Sequence, residues 1–118
     1  MISSISNNLS ALKAFGTGLA VKSNNIANSE SENFKKSRAI YSEGENGEVK
    51  TEIRKVDPDN ELASVNTEEN TSEEAQPSNV DLTEEIPGTI TDQRGFEANL
   101  KVIKTREEML GSVLDIIA

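Results

Sequence analysis

Apolar side chains recur through the first 28 residues at Ile2, Ile5, Leu9, Leu12, Leu19 and Ile26, with Gly16 and Ser23 holding the intervening positions of a rhythm that alternates three and four. That rhythm puts one stripe on one face of an α-helix, about 40 Å long at 1.5 Å per residue. Gly16 and Gly18 weaken it, each by roughly 1 kcal/mol against alanine. They read either as tolerated weakness or as places where a neighbouring backbone comes close. The same rhythm returns at Leu82, Ile86, Thr89, Gln93, Phe96, Leu100, Ile103, Glu107, Leu110, Leu114 and Ile117, eight of the eleven being apolar. Asp81, followed three residues later by Glu84, reads as a capping box that starts this second helix after Val80. Pro87-Gly88 conflicts with it, because proline offers no N–H to the Thr83 carbonyl. The expectation is a kink or a break: one long bent helix from about Leu82 to Ile116, or a short first turn and a main helix starting at Pro87. Matching stripes at the two ends predict a mainly α fold, two long terminal helices pairing as an antiparallel coiled-coil-like hairpin. Ile5, Leu9, Leu12, Leu19 and Ile26 on one side, with Phe96, Leu100, Ile103, Leu110 and Leu114 on the other, are its expected pairing residues.

Between the helices the period changes. Ala39-Ile40-Tyr41 and the alternating Val49, Thr51 and Ile53 flank Gly44-Glu45-Asn46-Gly47, and Asn-Gly favours a two-residue hairpin turn. Two short strands are marginal alone and must lean on the helices or on another subunit. From Asp57 to Ser78 the chain is acidic, polar and nearly free of apolar side chains after Val65, which predicts a flexible linker. The chain therefore divides into 1–38, helix and Asn-rich turn; 39–56, β-hairpin; 57–79, acidic linker; and 80–118, second helix.

Composition narrows the chemistry. The 118 residues hold no Cys, no His and no Trp, so disulfides, thiolate zinc sites and the commonest general base are absent. Asp57-Pro58-Asp59-Asn60-Glu61 faintly resembles a calcium loop but lacks the central Gly and the distal Glu. Ser37 beside Lys36 could be imagined as a hydrolytic pair, yet no glycine elbow or further catalytic group accompanies it. No catalytic residue, metal site or cofactor is expected. The net charge of −9 argues against nucleic acid as partner, and its distribution is uneven: +3 over 1–39, −8 over 40–79 and −4 over 80–118. No stretch reaches the roughly 18 consecutive apolar residues of a membrane span, and the N-terminus lacks the pattern of a cleaved secretory leader. With 34% hydrophobic and 3% aromatic residues, a large self-sufficient core is not expected, and a partner would complete it.

Two segments carry a family likeness. Leu19-Ala20-Val21-Lys22-Ser23-Asn24-Asn25-Ile26-Ala27-Asn28, followed by Phe34-Lys35-Lys36-Ser37, resembles the N-terminal signature of bacterial flagellar rod and hook proteins, with Asn33 in the place of the family's glycine. Asparagine is the non-glycine residue that best tolerates the left-handed conformation. Ser29-Glu30-Ser31-Glu32 replaces the family's usual small, threonine-bearing turn. Ser78-Asn79-Val80-Asp81-Leu82-Thr83-Glu84-Glu85, then Gln93-Arg94-Gly95-Phe96-Glu97-Ala98-Asn99-Leu100-Lys101-Val102-Ile103-Lys104-Thr105 and Glu108-Met109-Leu110, resembles the C-terminal signature. Pro87-Gly88 departs from the family's continuous helix.

The resemblance implies a non-enzymatic subunit of the basal-body rod. Such subunits are exported through the flagellar type III apparatus without signal cleavage, and they polymerise through paired terminal helices into a periplasmic axial tube that transmits torque and passes exported subunits. Expected partners are other copies of the chain, other rod and hook proteins and the export apparatus, without direct membrane insertion. The short middle excludes a hook protein; proximal and distal rod positions both stay open. A coiled-coil assembly adaptor or export chaperone that stays cytoplasmic is the rival reading. Asn24, Asn25 and Asn28 are expected to cap the first helix or to contact neighbouring subunits, and Asn33, Asn79, Asp81 and Glu84 to shape the turns and the second helix's start. Gln93, Arg94 and Asn99 are candidates for fixing register. Phe34 and Phe96 are the expected anchors.

Overall fold

In the computed structural model, which describes residues 2–57 and 74–118, the first apolar stripe forms helix α1, Ile2–Ala27. Its end is sealed by Asn28, whose amide donates to the Asn24 and Asn25 carbonyls and whose side chain donates to the Asn24 carbonyl at 2.9 Å. Two turns follow, and the chain leaves them at Asn33, φ 59°. This is the left-handed conformation that asparagine tolerates best among the non-glycine residues. Strands β1, Ser37–Glu43, and β2, Val49–Lys55, then pair antiparallel from Ser37 opposite Lys55 to Glu43 opposite Val49. Helix α2 closes the described chain at Leu82–Ile117. Most of the expected acidic linker, and the calcium-like loop beyond Asp57, lie outside the described residues.

The hairpin turn differs from the expected two-residue Asn-Gly form. Gly44 donates its amide to the Glu48 carbonyl at 2.7 Å, which leaves Glu45-Asn46-Gly47 as a three-residue loop. Asn46 and Gly47 do adopt the positive φ values, 68° and 79°, for which this dipeptide is favoured. The loop is held from below: Asn7 of α1 donates to the Asn46 carbonyl at 3.1 Å, and Ser10 Oγ accepts the Val49 amide at 3.0 Å. The hairpin thus lies along α1, with the start of β1 near Asn25 and the loop near Asn7.

Helix α2 begins where expected. Asp81 is the N-cap, accepting the Thr83 amide at 2.9 Å and the Thr83 hydroxyl at 2.6 Å. The reciprocal half of a capping box is missing, because the Glu84 carboxylate turns instead to Lys36 and Arg38. The helix runs through Pro87 as one 36-residue element. Of the two courses open to this segment, it takes the single long helix.

The helices pair antiparallel as predicted, but α2 presents a different face. Opposite α1 stand Glu85, Gly88, Asp92, Gly95 and Phe96, the side facing Asn25, Lys22, Gly18, Phe15 and Gly16. Leu82, Ile86, Leu100 and Leu110 of the predicted stripe are 41–49% exposed and Leu114 is more open still at 66%, so they do not serve the pairing within the chain. Glycine explains the choice of face. A Cβ on Gly95 would come within 2.6 Å of the Phe15 ring, one on Gly88 within 2.5 Å of the Lys22 side chain, and one on Gly18 would collide with the Tyr41 hydroxyl and the Asp92 carboxylate. The helices approach too closely at these points for larger residues. Gly18 makes room for the Tyr41 and Asp92 side chains rather than for a neighbouring backbone. Gly16, whose Cβ would meet Phe96 only at 3.9 Å, is not crowded in this way. The buried apolar core among the described residues is small: Leu12, Ala14 and Val21.

This packing separates two glycines of one helix. Gly95→Ala is expected to destabilise, since overpacking costs about 1–3 kcal/mol against a helix-propensity gain of roughly 1 kcal/mol. Gly111→Ala, with nothing within 4 Å of its new methyl, should stabilise by about 0.5–1 kcal/mol. Urea titrations of the two variants beside the parent check the opposite signs.

Candidate assembly interface

Asn25 joins three elements. It is 1% exposed; its amide nitrogen donates to the Ser37 carbonyl at 2.7 Å and to Glu85 Oε2 at 3.2 Å, and its carbonyl oxygen accepts the Ser37 amide at 2.9 Å. The side chain thus behaves toward β1 as a neighbouring strand would, while its second N–H reaches α2. One helical turn earlier, Lys22 donates to Asp92 Oδ2 at 2.8 Å. The Tyr41 hydroxyl converges with Asp92 over Gly18. Burial first, and then the Asp92 carboxylate, raise Tyr41 above the ordinary phenol value, with the Lys22 ammonium acting the other way.

A second cluster ties the open end of the hairpin to the start of α2. Lys36, 9% exposed, donates to Glu84 Oε2 at 3.0 Å, and Arg38 donates to Glu84 Oε1 at 3.2 Å. The hydrogen bond from Lys36 and its positive charge hold the Glu84 carboxyl below the usual range, with Arg38 adding to the effect. Asn79 accepts the Lys36 amide at 2.6 Å and donates to the Val56 carbonyl at 2.8 Å, while Val56 returns its amide to the Lys36 carbonyl. Asn33 and Gln76 exchange two further hydrogen bonds, bringing the chain before α2 against the turn after α1. No fully buried side-chain polar atom among the described residues lacks a partner.

The expected turn residues are therefore brought together, though in altered roles. Asn28 caps α1, Asn24 lends its carbonyl to that cap, and Asn25 clasps β1 and α2. Asn79 bridges the two strands, whereas Asp81 caps α2. Of the register candidates, Gln93 and Arg94 are exposed, Gln93 meeting Glu97 on its own helix at 3.2 Å, and Asn99 bonds back to the Gly95 carbonyl at 2.9 Å. Within the single chain the alignment of the two helices rests on Lys22, Asn25, Glu85 and Asp92. Lys22 and Asn25 stand three apart on α1 and Glu85 and Asp92 seven apart on α2, spacings that could have disclosed a polar seam. Phe34 is half-buried beside the Asn33 turn, and Ile26 and Leu19 are half-buried on α1.

The outer faces are apolar. An open groove of about 930 Å³ runs along α1 past Leu9, Leu12, Gly16, Ala20 and Val21, bounded by Ile53 of the hairpin and Phe96 of α2. Ile5 and Leu9 are 43% and 62% exposed. Contiguous apolar faces of this kind mark contact with another protein. Among the described residues no group of three or more Asp or Glu is placed to hold a metal, and no helix is long and apolar enough to cross a membrane.

Asn25→Ala should destabilise by about 2–4 kcal/mol, because the Ser37 backbone groups and a Glu85 oxygen would lose buried partners. Asn24→Ala, on an exposed side chain, should stay within about 0.5 kcal/mol; thermal melts of both variants read the contrast. Glu84 sets an acid dependence. Its folded pKa lies below the unfolded value of 4.5, so its contribution is complete above that value and is lost as pH falls through the folded one. Glu84→Gln should therefore flatten the decline of the denaturant midpoint with pH below 4.5.

Residues 76–116 match the family described as flagellar basal body rod FlgEFG protein C-terminal. The match begins at the Asn33-bound Gln76 and includes Asn79, the Asp81 cap, Glu84, Glu85, Asp92 and nearly all of α2. The segment read as an N-terminal signature lies outside the matched residues. No curated protein matches the chain at a significant level. Residues 76–116, the stretch that carries the start of α2 and nearly all of its length, are thus similar to the C-terminal part of the flagellar basal-body rod proteins.

Proposed function

We propose that the chain is a structural subunit of the basal-body rod, polymerising through its paired terminal helices into the axial tube that transmits torque and passes exported subunits. The family match over residues 76–116 carries this reading. The distribution of apolar surface supports it: Leu9, Leu82, Ile86, Ile90, Leu114 and Ile117 are each at least 41% exposed, more than a chain working alone gains from leaving in water. Helices with a small common core complete their burial against neighbours. On this reading the subunit crosses the inner membrane through the flagellar type III apparatus without loss of a leader, and its neighbours are further copies and other rod and hook proteins.

Deletion of the gene should arrest flagella at the basal body, and the tagged protein should co-purify with hook and basal-body preparations. Normal filaments and motility in the deletion strain would overturn the rod assignment. Recovery of the protein solely from the cytosol would favour an assembly adaptor or export chaperone instead.

A further inference from the structure

We infer that the C-terminal end of α2 docks into the α1 groove of a second copy of this chain, joining copies head to tail. The inference rests on the reading that the chain assembles with itself, and it names the two surfaces that meet.

The first surface is set by register. Asn25 meets Glu85 and Phe15 meets Gly95, and in both pairs the residue numbers total 110. Ile2, the first residue of α1, is therefore level with Glu108. The face of α2 that looks toward α1 runs through Asn99, Ile103 and Arg106, all half-buried. The same face continues at the helical spacing through Leu110, Val113, Leu114 and Ile117, where exposure is 43%, 51%, 66% and 77%. Burial ends where α1 ends. Among the described residues nothing lies against this last stretch, so a pairing face continues for two turns without a partner helix.

The second surface is the α1 groove, lined by Leu9, Leu12, Gly16, Ala20, Val21 and Phe96. From Leu9 to Asn24 it is about 22 Å long, ample for the roughly 11 Å between Leu110 and Ile117 at 1.5 Å per residue. The overhang cannot fold back into its own groove, because α2 is one continuous helix and carries it beyond the start of α1. Charge selects the same match. Helix α1 bears no acidic residue, and Lys13 lines the groove while Lys22 is held by Asp92; from Glu107 to Ile117, α2 bears Glu107, Glu108 and Asp115 and no basic residue, with Lys104 beside Glu108. An acidic apolar end thus meets a basic apolar groove. As the two surfaces differ, each added copy buries one of each and leaves one of each open, the condition for an open linear or helical assembly.

Two variants of the full chain test this. Leu110→Glu with Leu114→Glu spoils the overhang; Leu9→Glu with Ala20→Glu spoils the groove, and all four residues are exposed in the single chain. In sedimentation velocity the parent should grow past dimer with concentration. Each variant alone should associate at least a hundredfold more weakly, and an equimolar mixture should form a one-to-one dimer and nothing larger. Circular dichroism confirms retained helicity; if the paired glutamates fray α2, Leu114→Ser alone should still weaken growth at least tenfold. Variants that assemble like the parent, a helical mixture that stays monomeric, or a parent that stops at a closed dimer would overturn the docking and leave self-assembly standing. A parent that remains monomeric at every concentration would overturn the self-assembly reading itself.

Discussion

The fold depends on one buried amide. Asn25 replaces a strand for Ser37 and reaches Glu85 with its remaining N–H, so the end of α1, the start of β1 and the first turn of α2 are held at a single point. The interior offers little else to do this, because the buried apolar side chains among the described residues are Leu12, Ala14 and Val21. An apolar seam tolerates sliding, whereas a buried amide and a buried ion pair are satisfied in only one alignment. The Lys22–Asp92 pair repeats the constraint one turn away. Together they fix where along α1 the second helix lies, and every exposed surface follows from that alignment.

Much of this was legible in the residues. Both helices, the Asp81 cap and the hairpin follow from period, capping chemistry and turn preference. What escaped was the face α2 turns inward. Periodicity counts apolar residues and assumes that the largest face is the buried one; here glycine and charge decide, since Gly88 and Gly95 permit an approach that leucine would block, and Asp92 finds Lys22 only at that distance. The hairpin loop escaped for a related reason. Asn46 and Gly47 adopt the backbone that their type predicts, but Asn7 and Ser10 of α1 hold the loop and β2 from a helix 39 residues away, a tie that no local preference encodes. Asn25 was singled out for the right region and the wrong bond, because a helix-terminal asparagine and a clasping one look alike until the strand beside it is placed.

The inward turn of the small and charged residues has an outward counterpart. Once Glu85 and Asp92 occupy the intramolecular face, Leu82, Ile86, Ile90 and Leu100 are carried around to the outside of α2. The apolar inventory is thereby divided: a minority closes the single chain, and the greater part faces outward. This division accounts for the small apolar core among the described residues.

The separation in sequence between partners adds a kinetic consequence. Strand partners in the hairpin are at most 18 residues apart, Ser37 and Lys55 being the outermost, whereas Asn25 and Glu85 are 60 apart. Closing the larger loop costs more chain entropy before any contact repays it. The hairpin is thus the early local event and helix pairing the late one, so a newly made chain passes through a stage in which α2 has yet to find α1. Until both helices are complete, the chain is therefore without the buried contact that aligns its two ends.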